Sequence, residues 1–310
     1  MKTKALLTCL LLIVAAAGFN PAKAQTLTFR DIARLKAPAA DHRIPYGNDS
    51  QQFGDLRLPK GKGPHPVAVV IHGGCWFSEY DLNHIASFAA ALTELGLATW
   101  TIEYRRLGNP GGGWPGTFAD VAQATDHLRV LARSYPLDLR RVITVGHSAG
   151  GQLALWLAAR KQLSRTSLLY VSDPLKLTGV ISLAGVTDMR GFGAACNNAV
   201  RRVLGGTVEE VSYRYQETSP IELLPLGVRQ SLIQGNLDKI VVPELGAKYK
   251  LAAEKRGERV KLIALEGVGH FDLIAPQSSA WPVVEKEVRT LLKLPKKRRT
   301  VAQGSARLSQ

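Results

Sequence analysis

Cysteine is scarce in this sequence, with three among 310 residues and no pair at C-x-x-C spacing. No H-E-x-x-H occurs either, so the commonest metal-ligand spacings are missing, and neither a metal nor an organic cofactor is expected. Acid is also short: 25 Asp and Glu against 40 Lys and Arg leave a net charge of +15. The excess sits at the ends. Lys2, Lys4 and Lys23 precede any acid, and the six cations from Lys293 onward are accompanied by none. Without them the body carries only about +6, too mild and dispersed for a nucleic-acid surface. No apolar run reaches the roughly 20 residues of a bilayer span, and no internal repeat marks a propeller. The length allows one large α/β domain or two small ones.

The chain opens on the pattern of an export signal. Lys2 and Lys4 make a cationic start, residues 5–17 are apolar or small, and Ala22-Lys23-Ala24 supplies the small–x–small site of a signal peptidase. Cleavage after Ala24 is expected, giving a periplasmic or secreted protein without a stable membrane anchor. Cys9 follows Thr8, where lipid attachment would call for Gly or Ala. Cys75 and Cys196 then remain, 121 positions apart. An oxidising compartment permits a disulfide between them, and two buried free thiols are equally compatible with the sequence. The far end, 293–310, combines Pro295 with Lys296–Arg299 and has no apolar period; a solvated basic tail is expected.

Between an irregular N-terminal arm at 25–52 and that tail, short apolar runs alternate with helical patterns. Strands are expected at 67–71, 98–103, 142–145, 179–183, 231–234 and 260–264, rich in Val, Ile and Leu with little alternation, as in strands buried on both faces. Helices are expected around 82–95, 118–134, 150–161, 242–255 and 281–292. Such alternation implies an α/β fold with a doubly wound, mostly parallel sheet over 53–292. Residues 186–228 break the rhythm and read as a small cap insertion at the sheet edge.

Gly146-His147-Ser148-Ala149-Gly150-Gly151 follows one of those strands and opens one of those helices. A serine in that place is forced onto a tight turn that lifts its hydroxyl above the sheet, beside a helix N-terminus able to stabilise negative charge. G-x-S-x-G arises often by chance; the flanking strand and helix make Ser148 the candidate nucleophile. A nucleophilic serine needs a base, an acid to orient that base, and an oxyanion hole. His270, in Gly267-Val268-Gly269-His270-Phe271, is the only histidine after Ser148. Asp238, in the loop after the strand at 231–234, is the leading acid. Asp188 and Asp272 are rivals, the first after the preceding strand and the second next to the base in sequence. His147, beside the nucleophile, reads as a packed neighbour bordering the pocket.

A second half-site stands upstream. Val69-Val70-Ile71-His72-Gly73-Gly74-Cys75-Trp76 is a buried strand running into a glycine turn, a variant of the H-G-G-G oxyanion signature. The amides of Gly73, Gly74 and Ala149 would converge on the developing oxyanion. Together with Ser148, Asp238 and His270, this set resembles the esterase/lipase branch of the α/β-hydrolases over about 52–292. The H-G-G-x-W form, with Glu103-Tyr104-Arg105 and a helix after Trp114-Pro115, is similar to kynurenine formamidases and small bacterial carboxylesterases. Cys75 stands where those formamidases carry an aromatic, which would enlarge the acyl side of the pocket. Trp76, Cys75 and Trp114 are the expected pocket walls, with Phe192 and Cys196 closing the far side.

The expected chemistry is cleavage of a small carboxylic ester through an acyl-enzyme, with a small-molecule ester or amide as substrate and no nucleic-acid partner. Three alternatives stay open. An aryl formamide of the N-formylkynurenine type fits the subgroup but not export, and a prolyl-oligopeptidase-like peptidase shares the Gly150-Gly151 ending but lacks room for a propeller. An inactive hydrolase-shaped binding protein is the third.

Overall fold

The computed structural model of the protein describes residues 26–295. The expected leader at 1–24 and the tail from 296 onward lie outside these residues. The described residues form one sheet of eight strands: β1 (His42–Pro45), β2 (Phe53–Arg57), β3 (His65–Ile71), β4 (Ala98–Ile102), β5 (Leu137–His147), β6 (Gly179–Leu183), β7 (Arg229–Gly235) and β8 (Val260–Leu265). Their order is β1-β2-β4-β3-β5-β6-β7-β8, antiparallel at β1–β2–β4 and parallel from β4 onward. The helices are α1 (Phe29–Ala33), α2 (Ala86–Thr93), α3 (Gly116–Asp126), α4 (Leu128–Leu131), α5 (Ala149–Ala159), α6 (Ala195–Leu204), α7 (Ser212–Thr218), α8 (Pro243–Lys255) and α9 (Trp281–Leu292). None is long and apolar enough to cross a membrane.

Residue choice explains the layering. Every position of β3, β4 and β6 is buried, so these strands have no solvent face and need no polar alternation. All of α5 is buried too, because the sheet lies on one side and the 186–228 segment on the other. That segment holds α6 and α7. It is fastened to α5 by Gln152 Nε2, donating to Thr218 O at 2.7 Å, and Trp156 Nε1, donating to Glu217 O at 2.9 Å.

The N-terminal arm is not irregular. It contains α1 and β1, and β1 pairs with β2, a strand also absent from the sequence reading. Neither strand carries an apolar pattern, because its polar side chains find tertiary partners. Arg43 grips Asp55 at 2.8 and 2.9 Å, and Arg57 donates to Ala39 O at 3.0 Å. No apolar run or alternation announces such strands. The parallel strands β3, β5, β7 and β8 all end at one rim, the side on which open α/β sheets build their sites.

Candidate active site

Ser148 lies on the turn between β5 and α5 with φ 56° and ψ −121°, a strained backbone for a side chain other than glycine. Its amide donates to Leu183 O at 2.9 Å, while its carbonyl accepts from Gly151 at 2.9 Å and Gln152 at 3.1 Å. The turn closes only because its glycines carry no Cβ. One at Gly146 would lie 2.0 Å from Gly150 O, and one at Gly150 would lie 2.2 Å from Ile71 O.

His270 follows β8, and its Nδ1 is 2.7 Å from Asp238 Oδ2 in the loop after β7. The other Asp238 oxygen accepts from the amides of Ile240 at 2.8 Å and Val241 at 3.0 Å, which fixes the carboxylate's orientation. Neither rival acid reaches the imidazole. Asp188 is taken by Lys248 at 2.5 Å and by the Gly191 amide at 2.9 Å. Asp272 accepts from the amides of Gly269 at 2.8 Å and Leu27 at 3.3 Å.

The turn after β3 packs directly on the elbow: a Cβ at Gly73 would stand 2.8 Å from His147 O and 3.0 Å from Ser148 Cβ. Gly74, Cys75 and Trp76 have φ of 106°, 51° and 58°, so three consecutive left-handed residues set the turn's course. Behind it, His72 Nε2 meets Glu103 Oε1 at 2.9 Å, and Tyr104 Oη donates to His72 O at 2.9 Å. Burial pushes the Glu103 carboxyl up. The neighbouring His72, its hydrogen bond, Arg106 and the Leu82 amide outweigh that and hold it below the ordinary range. Ala149 opens α5, so its amide belongs to the first turn, which has no intrahelical acceptor.

A cavity of about 490 Å³ opens over Ser148 and His270. Gly74, Cys75 and His147 border it, as does Cys196, bonded to Cys75 by a disulfide (S–S 2.07 Å, Cα–Cα 6.1 Å). That bond ties the glycine turn to α6. Two expected walls are elsewhere. Trp76 is fully buried, its positive φ turning the indole into the core, and Trp114 packs against Tyr213 at 5.5 Å and the Arg214 guanidinium at 4.2 Å. Phe192 is buried without bordering the cavity. The aromatic walls are instead Phe29, Phe77, Tyr80 and Phe271, with Ile240 and one cation, Lys239. No periodicity or motif signals them, because they come from four separate segments of the chain: α1, the turn after β3, the loop after β7 and the turn after β8.

Two further histidines stay neutral at ordinary pH. Burial, followed by the nearby His270 and His84, holds His147 well below the usual imidazole range. Burial, reinforced by His72, brings His84 down to about 3. Neutral His147 donates from Nε2 to His270 O at 3.0 Å.

Sheet, elbow and histidine loop together define an α/β-hydrolase. The BD-FAE family model matches residues 55–251, and the chain belongs to that family, an α/β-hydrolase-type esterase family. Among solved structures it is similar to a truncated carbohydrate esterase from gut microbiota (TM-score 0.70, 21% identity, 83% of this chain and all of that one). It is also similar to an inhibited esterase B from Lactobacillus rhamnosis (TM-score 0.72, 20% identity, 86% of this chain and 91% of that one). Esterase 2 of Thermogutta terrifontis gives a TM-score of 0.69 at 18% identity over 86% of this chain and 99% of that one. At these identities the likeness establishes the fold. An uncharacterized 31.7 kDa protein from the traX-finO intergenic region of Escherichia coli is 32% identical over 130 residues, 40% of this chain. The match spans only 44% of that relative.

Proposed function

We propose that the protein is a serine hydrolase that cleaves a small carboxylic ester through an acyl-enzyme. The observation that carries this reading is the 2.7 Å contact between His270 and Asp238 above a cavity that Ser148 also borders. In the proposed reaction Ser148 Oγ attacks the ester carbonyl while His270 Nε2 takes its proton. Asp238 keeps the proton of Nδ1 in place, so that Nε2 is free to act as base. The amides of Gly74 and Ala149, with Gly73 shaping the turn, receive the negative charge on the carbonyl oxygen; losing one such donor typically costs about 3–4 kcal/mol in the transition state. The protonated His270 then hands its proton to the leaving alkoxide, and the acyl-enzyme is released by water activated at the same imidazole.

The aromatic walls and the cavity's modest volume favour a small ester with an apolar part over a peptide. Hydrolysis of p-nitrophenyl acetate, butyrate and octanoate beside N-formylkynurenine, by wild type and Ser148→Ala, tests the reading. Ester turnover abolished by the substitution is expected; faster turnover of the formamide would move the protein to the formamidases. Export to the periplasm or medium is part of the proposal, tested by the N-terminal sequence of protein recovered from each compartment.

A further inference from the structure

The N-terminal arm is joined to the machinery just described. Asp272, two residues after His270, spans the junction: its carboxylate accepts the Gly269 amide at 2.8 Å and the Leu27 amide at 3.3 Å. A Cβ at Gly269 would lie 2.7 Å from Thr26 Cβ, so the bare glycine lets the arm touch the histidine turn. Directly beyond, Thr28 and Asp31 form a reciprocal capping box that starts α1 and fixes the next side chain, Phe29. The Phe29 ring stands edge-on to Tyr80 at 5.0 Å, His84 at 5.5 Å and Phe271 at 5.9 Å, and it borders the cavity over Ser148.

We infer that Phe29 is a specificity-determining residue that limits the size of the leaving alcohol, with Asp272 as the positioning residue that latches it there. The inference rests on the serine-hydrolase reading above. The side of the cavity follows from the chemistry. His270 delivers its proton to the leaving alkoxide, so the space beside the His270–Phe271 turn is where the alcohol part must lie, and Phe29 closes that space. A planar ring held by three edge-on neighbours is a rigid stop, and trimming it enlarges the cavity on that side.

The test compares kcat/KM for phenyl and 1-naphthyl acetate, two esters of similar leaving-group acidity and different bulk. The p-nitrophenyl acetate, butyrate and octanoate series serves as acyl control. Phe29→Ala should raise the naphthyl-to-phenyl ratio about tenfold, mainly through KM, and leave the acyl profile unchanged. Phe29→Trp should lower the ratio, and Asp272→Asn should move it in the direction of Phe29→Ala. Thermal melting shows that each variant is folded. An unchanged ratio in folded variants, or a shift confined to the acyl series, overturns the inference. Failure of the underlying reading looks different: the wild type would then hydrolyse none of these esters, and the inference would fall with it.

Discussion

His147 Nε2 donates to the carbonyl oxygen of His270 at 3.0 Å, so the residue before the candidate nucleophile holds the backbone of the candidate base. The two rings are 4.4 Å apart, and the neutral state of His147 lets it donate without placing a second charge beside His270. His147→Ala should therefore lower kcat by about ten- to a hundredfold with little change in KM, as expected where a positioning contact 1 Å out of place is costly. His147→Gln, which keeps an N–H donor, should recover most of the loss. Equal damage from both variants would show that ring packing, not the hydrogen bond, is what matters.

The disulfide between Cys75 and Cys196 closes a loop of 121 residues and joins the glycine turn to α6. On the loop-entropy argument, a cross-link over that length stabilises by about 4–5 kcal/mol. Cys196→Ser should lower the melting temperature by several degrees and reduce kcat more than it raises KM, since the loosened turn carries the proposed oxyanion donor Gly74. Thermal unfolding with and without reductant provides the check: wild type should drop to the variant's value on reduction, and an indifferent wild type would contradict the account.

Glu103 holds His72, the Leu82 amide and Arg106 in a fully enclosed cluster beneath the same turn. Removing one member of a buried ionic set typically costs about 3–5 kcal/mol, because the partner charge is left uncompensated. Glu103→Ala should lose stability on that scale in urea titration, and a loss under 1 kcal/mol would mean that the cluster relaxes or admits water.

Stability should fall as pH drops below about 6.5, the ordinary histidine value. His84 titrates near 3 in the folded protein and near its ordinary value once unfolded; His147 is shifted in the same direction. Between those limits the unfolded chain binds protons that the folded chain refuses, so each histidine removes stability as the solution becomes more acidic, on the order of 1 kcal/mol per pH unit. Urea midpoints at pH 7.5 and 5 should differ accordingly, and His84→Gln should shallow the slope. A flat profile in wild type would contradict the burial of both rings.

Much of this arrangement is legible in the sequence, for a physical reason. Ser148 and His72–Gly74 follow buried parallel strands that betray themselves by apolar runs, whereas β7, before the Asp238 loop, shows only Leu232 and Ile233 between polar residues. Their ends fall on one rim by the topology rule alone. The pocket is less legible, because walls are tertiary facts. Trp76 neighbours the glycine turn in sequence, yet a left-handed backbone sends it into the core. Phe29, over a hundred residues before Ser148, reaches the cavity through tertiary contacts of the arm, among them the Leu27 amide on Asp272 and the burial of Ile32. β1 and β2 are hidden for a different reason: β1 is largely exposed, and Asp55 and Arg57 of β2 are buried against polar partners, so neither strand shows an apolar pattern.

The central claim is that Ser148 is a nucleophile activated by His270. Its most direct test is intact-mass analysis after a fluorophosphonate probe, with peptide mapping, on wild type, Ser148→Ala and His270→Ala. The account predicts one adduct on Ser148 in wild type, none in Ser148→Ala and labelling slowed by about 10³-fold or more in His270→Ala. An unlabelled but folded wild type, or an adduct on another residue, would contradict it.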